Sequence, residues 1–230
     1  MTDEYTQRML DQERKILLPV HSIFTSFDGE VSPFHQGRVS TFIRLAGCNL
    51  NCSWCDTPYA RDVAAGTLQS VDSVLEQITD FSNVTLTGGE PLIHLGVKSL
   101  LIGLASKKRC SVSVETNGTV FPPLLGYSRI AYVMDYKLPS SGEEDNMNVK
   151  AFDTLQSKDI VKFVIQDHND FEIAILIKNE FQKIKGLQAI FAFSPVLSKL
   201  SFEKLGKWIL QSELRDVILS VQIHKLCGFE

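Results

Sequence analysis

Three cysteines in one short stretch constrain this chain more than any other feature of its sequence. Cys48, Cys52 and Cys55 stand at positions i, i+4 and i+7, directly after β-forming residues that predict the end of a strand. A tight loop can bring thiolates at this spacing to one inorganic centre. The other two cysteines, Cys110 and Cys227, are solitary and distant. The local group therefore offers three thiol ligands.

Three ligands help to separate the possible metal centres. A structural zinc site uses four donors and usually recruits a second Cys/His pair, so zinc is the weaker alternative. A cubane iron-sulfur cluster is usually held by four thiolates, and three would leave one iron open to an external ligand. An open iron can bind S-adenosylmethionine (SAM) and cleave it reductively. The spacing Cys-x3-Cys-x2-Cys, with aromatic Trp54 before the last cysteine, resembles the signature of the radical SAM superfamily.

Size and charge limit the classes of partner. A chain of 230 residues, 44% of them hydrophobic, can bury one sizeable core, so we expect a single radical SAM domain over 1–230. Residues 1–15 are too polar for the core and are expected to form an N-terminal extension. The net charge of −4 gives no attraction for nucleic acid or for an anionic membrane, which favours a small-molecule substrate.

The same sequence features indicate the compartment. We find no run of 18 apolar residues and no signal peptide, because the amino terminus is polar and charged. An odd number of cysteines, three of them crowded together, suits a reducing compartment better than a disulfide framework. We therefore expect a cytoplasmic protein that does not bind membranes.

Alternating strand and helix patterns predict an α/β fold with a parallel sheet. About six parallel strands with few or short helices indicate a partial, incomplete TIM-like radical SAM barrel. Strands are predicted over 17–27, 39–45, 83–87, 111–115, 130–135, 159–165, 188–194 and 217–223. Helices are predicted from a Ser70 cap to about 81, and over 92–107, 169–183 and 201–211.

Polar clusters follow successive predicted strands. The cysteine loop, Gly-Gly-Glu-Pro (88–91), Glu-Thr-Asn-Gly (115–118) and Asp-Tyr-Lys (135–137) each come at the end of one strand. Because ligands bind at the carboxyl ends of parallel strands, these clusters should meet at one site. Taken singly, Gly-Gly-Glu-Pro could be an ordinary turn, Glu115 and Asn117 could be solvated groups of a strand-to-loop turn, and Lys137 could be a surface lysine.

Several residues in these clusters have side chains suited to SAM. Gly89 would let the backbone approach a ligand closely, and the Glu90 carboxylate suits the ammonium group of a methionine moiety. Lys137 could bind a carboxylate or a ribose oxygen, and Ser194 could meet the adenosine end of SAM. The alternatives are a turn at 88–91, a surface lysine and a plain turn at 194–195.

Other candidates suit a metal ion or a polar substrate. The Thr57 hydroxyl, beside the last cysteine, could ligate Mg2+, which prefers oxygen, although a simple loop residue is the alternative. Arg44 lies on an otherwise apolar strand and needs an anionic partner. Glu115 ends a strand where a carboxylate is unfavourable without a partner. His224 lies on the predicted terminal strand, where a surface edge is the alternative.

Together these segments resemble the 7-carboxy-7-deazaguanine synthases, radical SAM enzymes of queuosine and 7-deazapurine biosynthesis. The resemblance runs from about residue 23 to 228. It rests on Ser26-Phe-Asp28-Gly-Glu30, Phe42-Ile-Arg44-Leu-Ala-Gly-Cys48, Cys52-Ser-Trp-Cys55-Asp-Thr57, Thr87-Gly-Gly-Glu-Pro91, Glu115-Thr-Asn-Gly118, Asp135-Tyr-Lys137-Leu-Pro-Ser-Ser-Gly142 and Gln222-Ile-His224-Lys225.

The resemblance implies a lyase that converts 6-carboxy-5,6,7,8-tetrahydropterin to 7-carboxy-7-deazaguanine and releases ammonia. It implies a [4Fe-4S] cluster, SAM and Mg2+, a homodimer, and a flavodoxin- or ferredoxin-like reductant. By position, Cys48, Cys52 and Cys55 would hold the iron-sulfur cluster and Thr57 the Mg2+. Trp54, Gly89, Glu90, Asn117, Lys137 and Ser194 would bind SAM. Glu30, Arg44, Thr87, Glu115, His224 and Glu230 would bind the pterin.

Two departures and two rival functions remain. Many family members carry Gln-Gly-Glu-Gly where this chain has Asp28-Gly-Glu30-Val31, and the loop over 31–38 is unusual. A radical SAM activase that places a glycyl radical on a partner enzyme is the nearest rival. A non-catalytic iron-sulfur or zinc module is the second.

Overall fold

A computed structural model describes residues 15–80 and 82–229, and one nine-stranded sheet organises this part of the chain. The strands are β1 (Leu17–Phe27), β2 (Val39–Leu45), β3 (Thr67–Ser70), β4 (Asn83–Gly88), β5 (Ser111–Thr116), β6 (Ile130–Tyr136), β7 (Ile160–Ile165), β8 (Ile190–Pro195) and β9 (Val217–Leu219). The α-helices are α1 (Val71–Glu76), α2 (Val97–Ser106), α3 (Val149–Phe152), α4 (His168–Asn179), α5 (Phe202–Gln211) and α6 (Ile223–Cys227).

The sheet is mostly parallel and is open at its ends. Its order is β3-β1-β2-β4-β5-β6-β7-β8-β9, and the strands from β2 to β9 in that order pair in parallel. β1 pairs antiparallel with both β2 and β3. Because β3 and β9 are the two edges and do not pair, the barrel is incomplete, as the sequence predicts.

Alternation along each parallel strand separates the core from the interior of the barrel. On β7, Val161, Phe163 and Ile165 are buried in the main hydrophobic core, whereas Lys162 and Val164 between them face a cavity. The same core contains apolar residues of α1, α2, α3, α4 and α5, so these helices cover the outer face of the sheet. The inner face is left free to carry polar side chains.

Most predicted strands are confirmed, but the last predicted strand and two of the predicted helices differ from the structure. The strand predicted over 217–223 ends at Leu219. The chain then leaves the sheet and forms α6 from Ile223, whose N–H donates to the Gly29 carbonyl (2.8 Å). The segment Thr67–Ser70, where the sequence pattern predicts no strand, pairs with β1 as β3. The helix capped by Ser70 ends at Glu76 rather than near 81.

The predicted helix over 92–107 is divided. A 3-10 turn at Pro91–Ile93 precedes α2, which begins only at Val97. Residues 1–14 lie outside the described part of the chain, so the N-terminal extension and the single-domain boundary over 1–230 stay predictions. No helix among the described residues is long and apolar enough to cross a membrane.

The ends of β2 and β4 approach each other more closely than side chains would allow. Gly88 has a φ of +147°, and a Cβ atom placed on it would lie 2.0 Å from the Leu45 carbonyl oxygen. A Cβ on Gly89 would lie 2.2 Å from the Gly47 carbonyl oxygen. The two backbones are joined there by hydrogen bonds from Gly89 N to Leu45 O (2.9 Å) and from Glu90 N to Gly47 O (2.8 Å). Glycine is therefore required at 88 and 89 by close packing of backbone on backbone.

We predict that Gly88→Ala destabilises the fold by at least about 2 kcal/mol, because the strand ends must separate to admit the methyl group. Urea denaturation of the purified protein measures this loss. The matched control is Gly126→Ala, where φ is +70° and a Cβ meets no described atom within 4 Å. It should cost only about 1 kcal/mol for the left-handed backbone. Equal losses in the two variants would contradict the close-packing explanation.

Candidate active site

A cavity of about 410 Å3 opens at the carboxyl ends of the parallel strands. It brings together all of the sequence-predicted site residues except Glu90 and Glu230. Its walls contain Glu30, Arg44, Cys48, Cys52, Trp54, Cys55, Thr57, Thr87, Gly89, Glu115, Asn117, Lys137, Ser194 and His224. Glu230 lies outside the described residues.

Strand register aligns the polar residues of the inner face. Arg44 on β2 is directly beside Thr87 on β4, and Asp135 on β6 is directly beside Lys162 on β7. Each of these residues alternates with core residues along its own strand. The period of two that buries the apolar residues under the helices therefore aims charged groups into the cavity.

The cysteine loop follows β2 and is anchored by its backbone on two sides. The Cys48 N–H donates to the Arg61 carbonyl (3.0 Å), and the Ser53 N–H donates to the Ser141 carbonyl (3.0 Å). The Ser53 hydroxyl also donates to the Ser140 carbonyl (2.6 Å). The thiols are consequently presented by a loop whose position is set by the rest of the fold.

Cys48, Cys52 and Cys55 are free, partly exposed thiols. Burial raises the pKa of the Cys48 and Cys52 thiols, so both are protonated at neutral pH without a metal, and metal binding would release protons. No three His, Cys, Asp or Glu side chains among the described residues are placed to hold a single metal ion. In a polynuclear cluster each thiolate ligates a separate iron, so the three need not meet at one point. Three thiols around a cavity fit such a cluster.

Two predicted SAM residues stand beside this loop. The Asn117 side-chain amide lies 3.9 Å from the Cys48 sulfur and also donates to the Asn49 side chain (2.9 Å). The Lys137 ammonium lies 5.1 Å from the centre of the Trp54 ring and 3.1 Å from Asp135 Oδ2. The Thr57 hydroxyl lies 3.9 Å from the Cys55 sulfur. The loop thus has an amide, a cation and a hydroxyl around its thiols.

Glu90 is not on the cavity wall, which differs from its predicted contact with a ligand ammonium. Its carboxylate is fully buried and accepts hydrogen bonds from the Leu92 N–H (2.9 Å), the Thr116 hydroxyl (2.8 Å) and the Asn117 N–H (2.6 Å). Burial raises the pKa of Glu90 to about 7, although these hydrogen bonds and Lys137 act in the opposite direction. In this arrangement Glu90 joins the turn after β4 to the turn after β5.

A chain of alternating charges crosses the cavity. The Lys162 ammonium donates to Glu30 Oε2 and lies 3.9 Å from Asp135 Oδ2, which also accepts from Lys137. Gln222 donates to the other Glu30 oxygen at 2.5 Å. Burial alone would raise the pKa of Glu30, but the charge and hydrogen bond of Lys162 lower it to about 2. Glu30 is therefore a carboxylate throughout the neutral range.

Glu115 has the opposite protonation behaviour in the same cavity. Its Oε2 accepts from the Thr87 hydroxyl at 2.6 Å. Burial and the neighbouring charge of Glu30 raise the pKa of Glu115 to about 7, while Lys162 partly offsets this rise. Two carboxyl groups on one cavity thus differ in charge at neutral pH, because only Glu30 receives a direct hydrogen bond from Lys162.

The Arg44 guanidinium has a buried N–H donor without a hydrogen-bond partner among the described residues. Its guanidinium carbon lies 5.8 Å from the Phe24 ring centre and 5.7 Å from that of Tyr59. Its Nε atom is buried and has no hydrogen-bond partner among the described residues. A buried donor without a partner is unfavourable, so the site is suited to an anionic ligand.

Helix α6 closes one side of the cavity. A Cβ on Gly29 would lie 2.1 Å from His224 Nδ1, so the helix packs directly on the loop after β1. Lys225 donates to Asp56 Oδ2 at 3.0 Å and joins this helix to the cysteine loop. Burial lowers the pKa of His224 despite the nearby Glu30 charge, so the imidazole is neutral at pH 7.

Asp28 supports the loop over 31–38. Its carboxylate accepts from His35 Nδ1 (2.6 Å) and from the Thr85 hydroxyl (3.0 Å). Its backbone accepts from the Gly37 N–H and donates to the Arg38 carbonyl. Position 28 therefore fixes the loop that follows Glu30.

Sequence reasoning did not single out Asp135, Lys162 or Gln222, although all three line the cavity. Asp135 was quoted only as part of a motif. A signal was present for Lys162, since a lysine in the centre of the apolar run Ile160–Ile165 needs a buried partner. The contact between Gln222 and Glu30 could not be predicted from a local pattern, because the two residues lie 192 positions apart.

Comparison with known proteins agrees with this geometry. Residues 42–135 match the family model of the Radical SAM superfamily. A crystal structure of QueE from Escherichia coli superposes with a TM-score of 0.64 over 90% of this chain and 95% of that chain, at 21% identity, which shows a shared fold. The chain is a radical SAM protein.

Curated relatives give the finer assignment. A 7-carboxy-7-deazaguanine synthase of Clostridium acetobutylicum is 40% identical over 88% of this chain and 92% of its own length. Another, from Leptospira interrogans, is 38% identical over 90% of this chain and 93% of its own length. The chain belongs to the 7-carboxy-7-deazaguanine synthase family.

We predict that Glu115→Gln makes the ligand-free protein more stable at pH 8 but not at pH 5. A raised carboxyl pKa contributes stability at low pH that is lost as the pH rises through about 7, and glutamine does not ionise. The difference at pH 8 should be on the order of 1 to 3 kcal/mol, measured by urea denaturation. The control is Glu203→Gln, at an exposed helix position. A stability difference that does not change with pH would contradict the raised pKa.

Proposed function

We propose that this protein converts 6-carboxy-5,6,7,8-tetrahydropterin to 7-carboxy-7-deazaguanine and ammonia, in queuosine and 7-deazapurine biosynthesis. The observation that supports this best is a cavity in which a buried Arg44 Nε without a partner among the described residues and the carboxyl groups of Glu30 and Glu115 lie beside a three-cysteine loop. The family membership supports the same reaction. The reaction is redox-neutral, because the substrate loses only the elements of ammonia as its ring contracts.

The residues present fit the three cofactors of this reaction. Cys48, Cys52 and Cys55 would hold a [4Fe-4S] cluster that, with SAM bound, supplies a 5′-deoxyadenosyl radical, while Mg2+ supplies a Lewis acid. Thr57 would ligate the Mg2+. One protein oxygen is compatible with this ion, since Mg2+ usually keeps several waters and takes few protein ligands.

SAM would lie between the cysteine loop and the turns after β4, β5 and β6. The bare backbone at Gly89 permits close approach, and Asn117 and Lys137 face the cavity from the next two strands. Glu90 acts through its hydrogen bond to the Asn117 N–H, which fixes the turn that carries this amide. Trp54 and Ser194 complete the wall.

The pterin would lie on the opposite side of the cavity. Arg44 offers a charge-assisted pair to the substrate carboxylate, which satisfies its unpartnered Nε. Glu30 accepts N–H donors, and Glu115 can donate or accept because its pKa is near 7. Thr87 holds Glu115, and His224 closes the cavity against water. Exclusion of water and stray hydrogen donors protects a reactive carbon radical.

A glycyl-radical activase is not favoured. Such an enzyme needs a surface that accepts a polypeptide, whereas the polar groups here converge on a cavity of about 410 Å3, a volume suited to a small molecule. The curated relatives of this chain are also named 7-carboxy-7-deazaguanine synthases. The zinc-module alternative is not favoured for the same reason and because no single-ion site is formed by the described residues.

The proposed setting is a homodimer in the cytoplasm, with a flavodoxin- or ferredoxin-like protein as electron donor. The resemblance of the whole chain to this family supports the dimer and the donor. Five free cysteines support a reducing compartment.

The deciding experiment is anaerobic incubation of the reconstituted protein with the carboxytetrahydropterin, SAM, Mg2+ and dithionite, followed by mass spectrometry. The expected product is 7-carboxy-7-deazaguanine. Formation of 5′-deoxyadenosine without any deazapurine would reject the substrate. Iron bound without SAM cleavage would reject radical SAM chemistry as well.

We predict that Arg44→Met raises the KM for the pterin by about 10- to 100-fold, the loss of one charge-assisted hydrogen-bonded pair. Iron content and thermal stability should stay near those of the wild type, since the Met side chain keeps apolar contact with the Phe24 and Tyr59 rings and no hydrogen bond from Arg44 Nε is lost. Initial rates at varied pterin concentration measure the effect. Arg215→Met, at an exposed position, is the control. An unchanged KM would remove Arg44 from substrate binding.

A further inference from the structure

Lys162 is a buried cation at the centre of the cavity wall. Its side chain is 10% exposed and lies on β7 between the core residues Val161 and Phe163. The ammonium donates to Glu30 Oε2 and lies 3.9 Å from Asp135 Oδ2. Removing a lysine from water is costly, so its contacts must compensate for the lost hydration.

The partners of Lys162 come from two different parts of the sheet. Glu30 follows β1 at the antiparallel side, whereas Asp135 ends β6, directly beside Lys162 in register. Lys162 therefore reaches across the barrel interior to the loop after β1. This contact fixes Glu30 relative to the parallel strands, together with the Gln222 hydrogen bond to the other oxygen.

The charge state of Glu30 depends on this contact. Burial acts to protonate the carboxyl group, and Lys162 provides the strongest opposing influence on its pKa. A protonated Glu30 would lose acceptor capacity and would present one O–H donor instead. Glu115, which receives no direct hydrogen bond from a lysine, has a pKa raised to about 7 by burial and by the neighbouring charge of Glu30.

We propose that Lys162 is a positioning residue for substrate recognition, which holds the Glu30 carboxylate in the orientation in which it accepts the N–H donors of the amino-pyrimidine edge of the pterin. Lys162 acts through Glu30 and does not itself need to touch the substrate. The inference rests on the proposed function, since it takes the pterin as the ligand of this cavity.

The test is a double-mutant cycle on substrate binding. Binding of 6-carboxy-5,6,7,8-tetrahydropterin is measured by calorimetry under argon, on cluster-reconstituted protein with SAM and without reductant, so that no turnover occurs. Lys162→Met should raise the Kd by at least about tenfold, the effect expected for a hydrogen bond to a charged group. In the Glu30→Gln background the same substitution should change the Kd less than about threefold, because the group that Lys162 serves is already neutral.

Two further variants separate positioning from general structural damage. Lys162→Arg keeps the charge and should recover most of the affinity lost in Lys162→Met. Lys178→Met removes a buried lysine whose ammonium lies 2.8 Å from Asp216. Neither residue lines the cavity, so the Kd should stay unchanged. If Lys162→Met does not fold, Lys162→Gln takes its place in the cycle.

The outcomes distinguish the inference from the function on which it rests. Equal losses in the wild-type and Glu30→Gln backgrounds would overturn the role of Lys162 while leaving the substrate assignment intact. No binding of the pterin to the wild-type protein would overturn the proposed function, and the role of Lys162 with it.

Discussion

The backbone contact between the ends of β2 and β4 is the constraint on which the site depends. The carbonyls of Leu45 and Gly47 accept hydrogen bonds from the turn at 88–90, at separations that no side chain could enter. The thiol loop begins at Cys48, so its starting point is set by the glycines of the neighbouring strand. The buried Glu90 carboxylate then accepts hydrogen bonds from Thr116 and Asn117, which fixes the turn after β5 relative to the turn after β4. The close approach of two backbones therefore fixes the relative positions of the ends of β2, β4 and β5.

Strand alternation explains why so much of the site could be predicted from the sequence. Local sequence signals mark the site residues: cysteine spacing, glycine pairs and polar residues after apolar runs. Because the carboxyl ends of parallel strands lie at one edge of the sheet, residues that follow such strands line one cavity. For this reason most of the predicted site residues line the same cavity. Glu90 was the exception, because sequence order did not reveal that three backbone and side-chain donors enclose its carboxylate.

The remaining errors arose where distant contacts override local preference. Residues 217–223 have a strand-like pattern, yet the chain leaves the sheet after Leu219 because the loop at Gly29 and Glu30 offers hydrogen bonds to Gln222 and Ile223. β3 exists because β1 is long enough to offer a second pairing edge to Thr67–Ser70. Neither partner lies near in sequence, so neither could be inferred from periodicity.

The hydrogen bond between Glu30 and Gln222 joins positions separated by 192 residues. Such a contact bears a large loop-closure entropy unless the intervening strands have already assembled into the sheet. Closure of the cavity is therefore a late event of folding, after the thiol loop and its neighbouring turns have formed. A wall that forms last leaves the cavity open on the side of α6 while the rest of the sheet assembles.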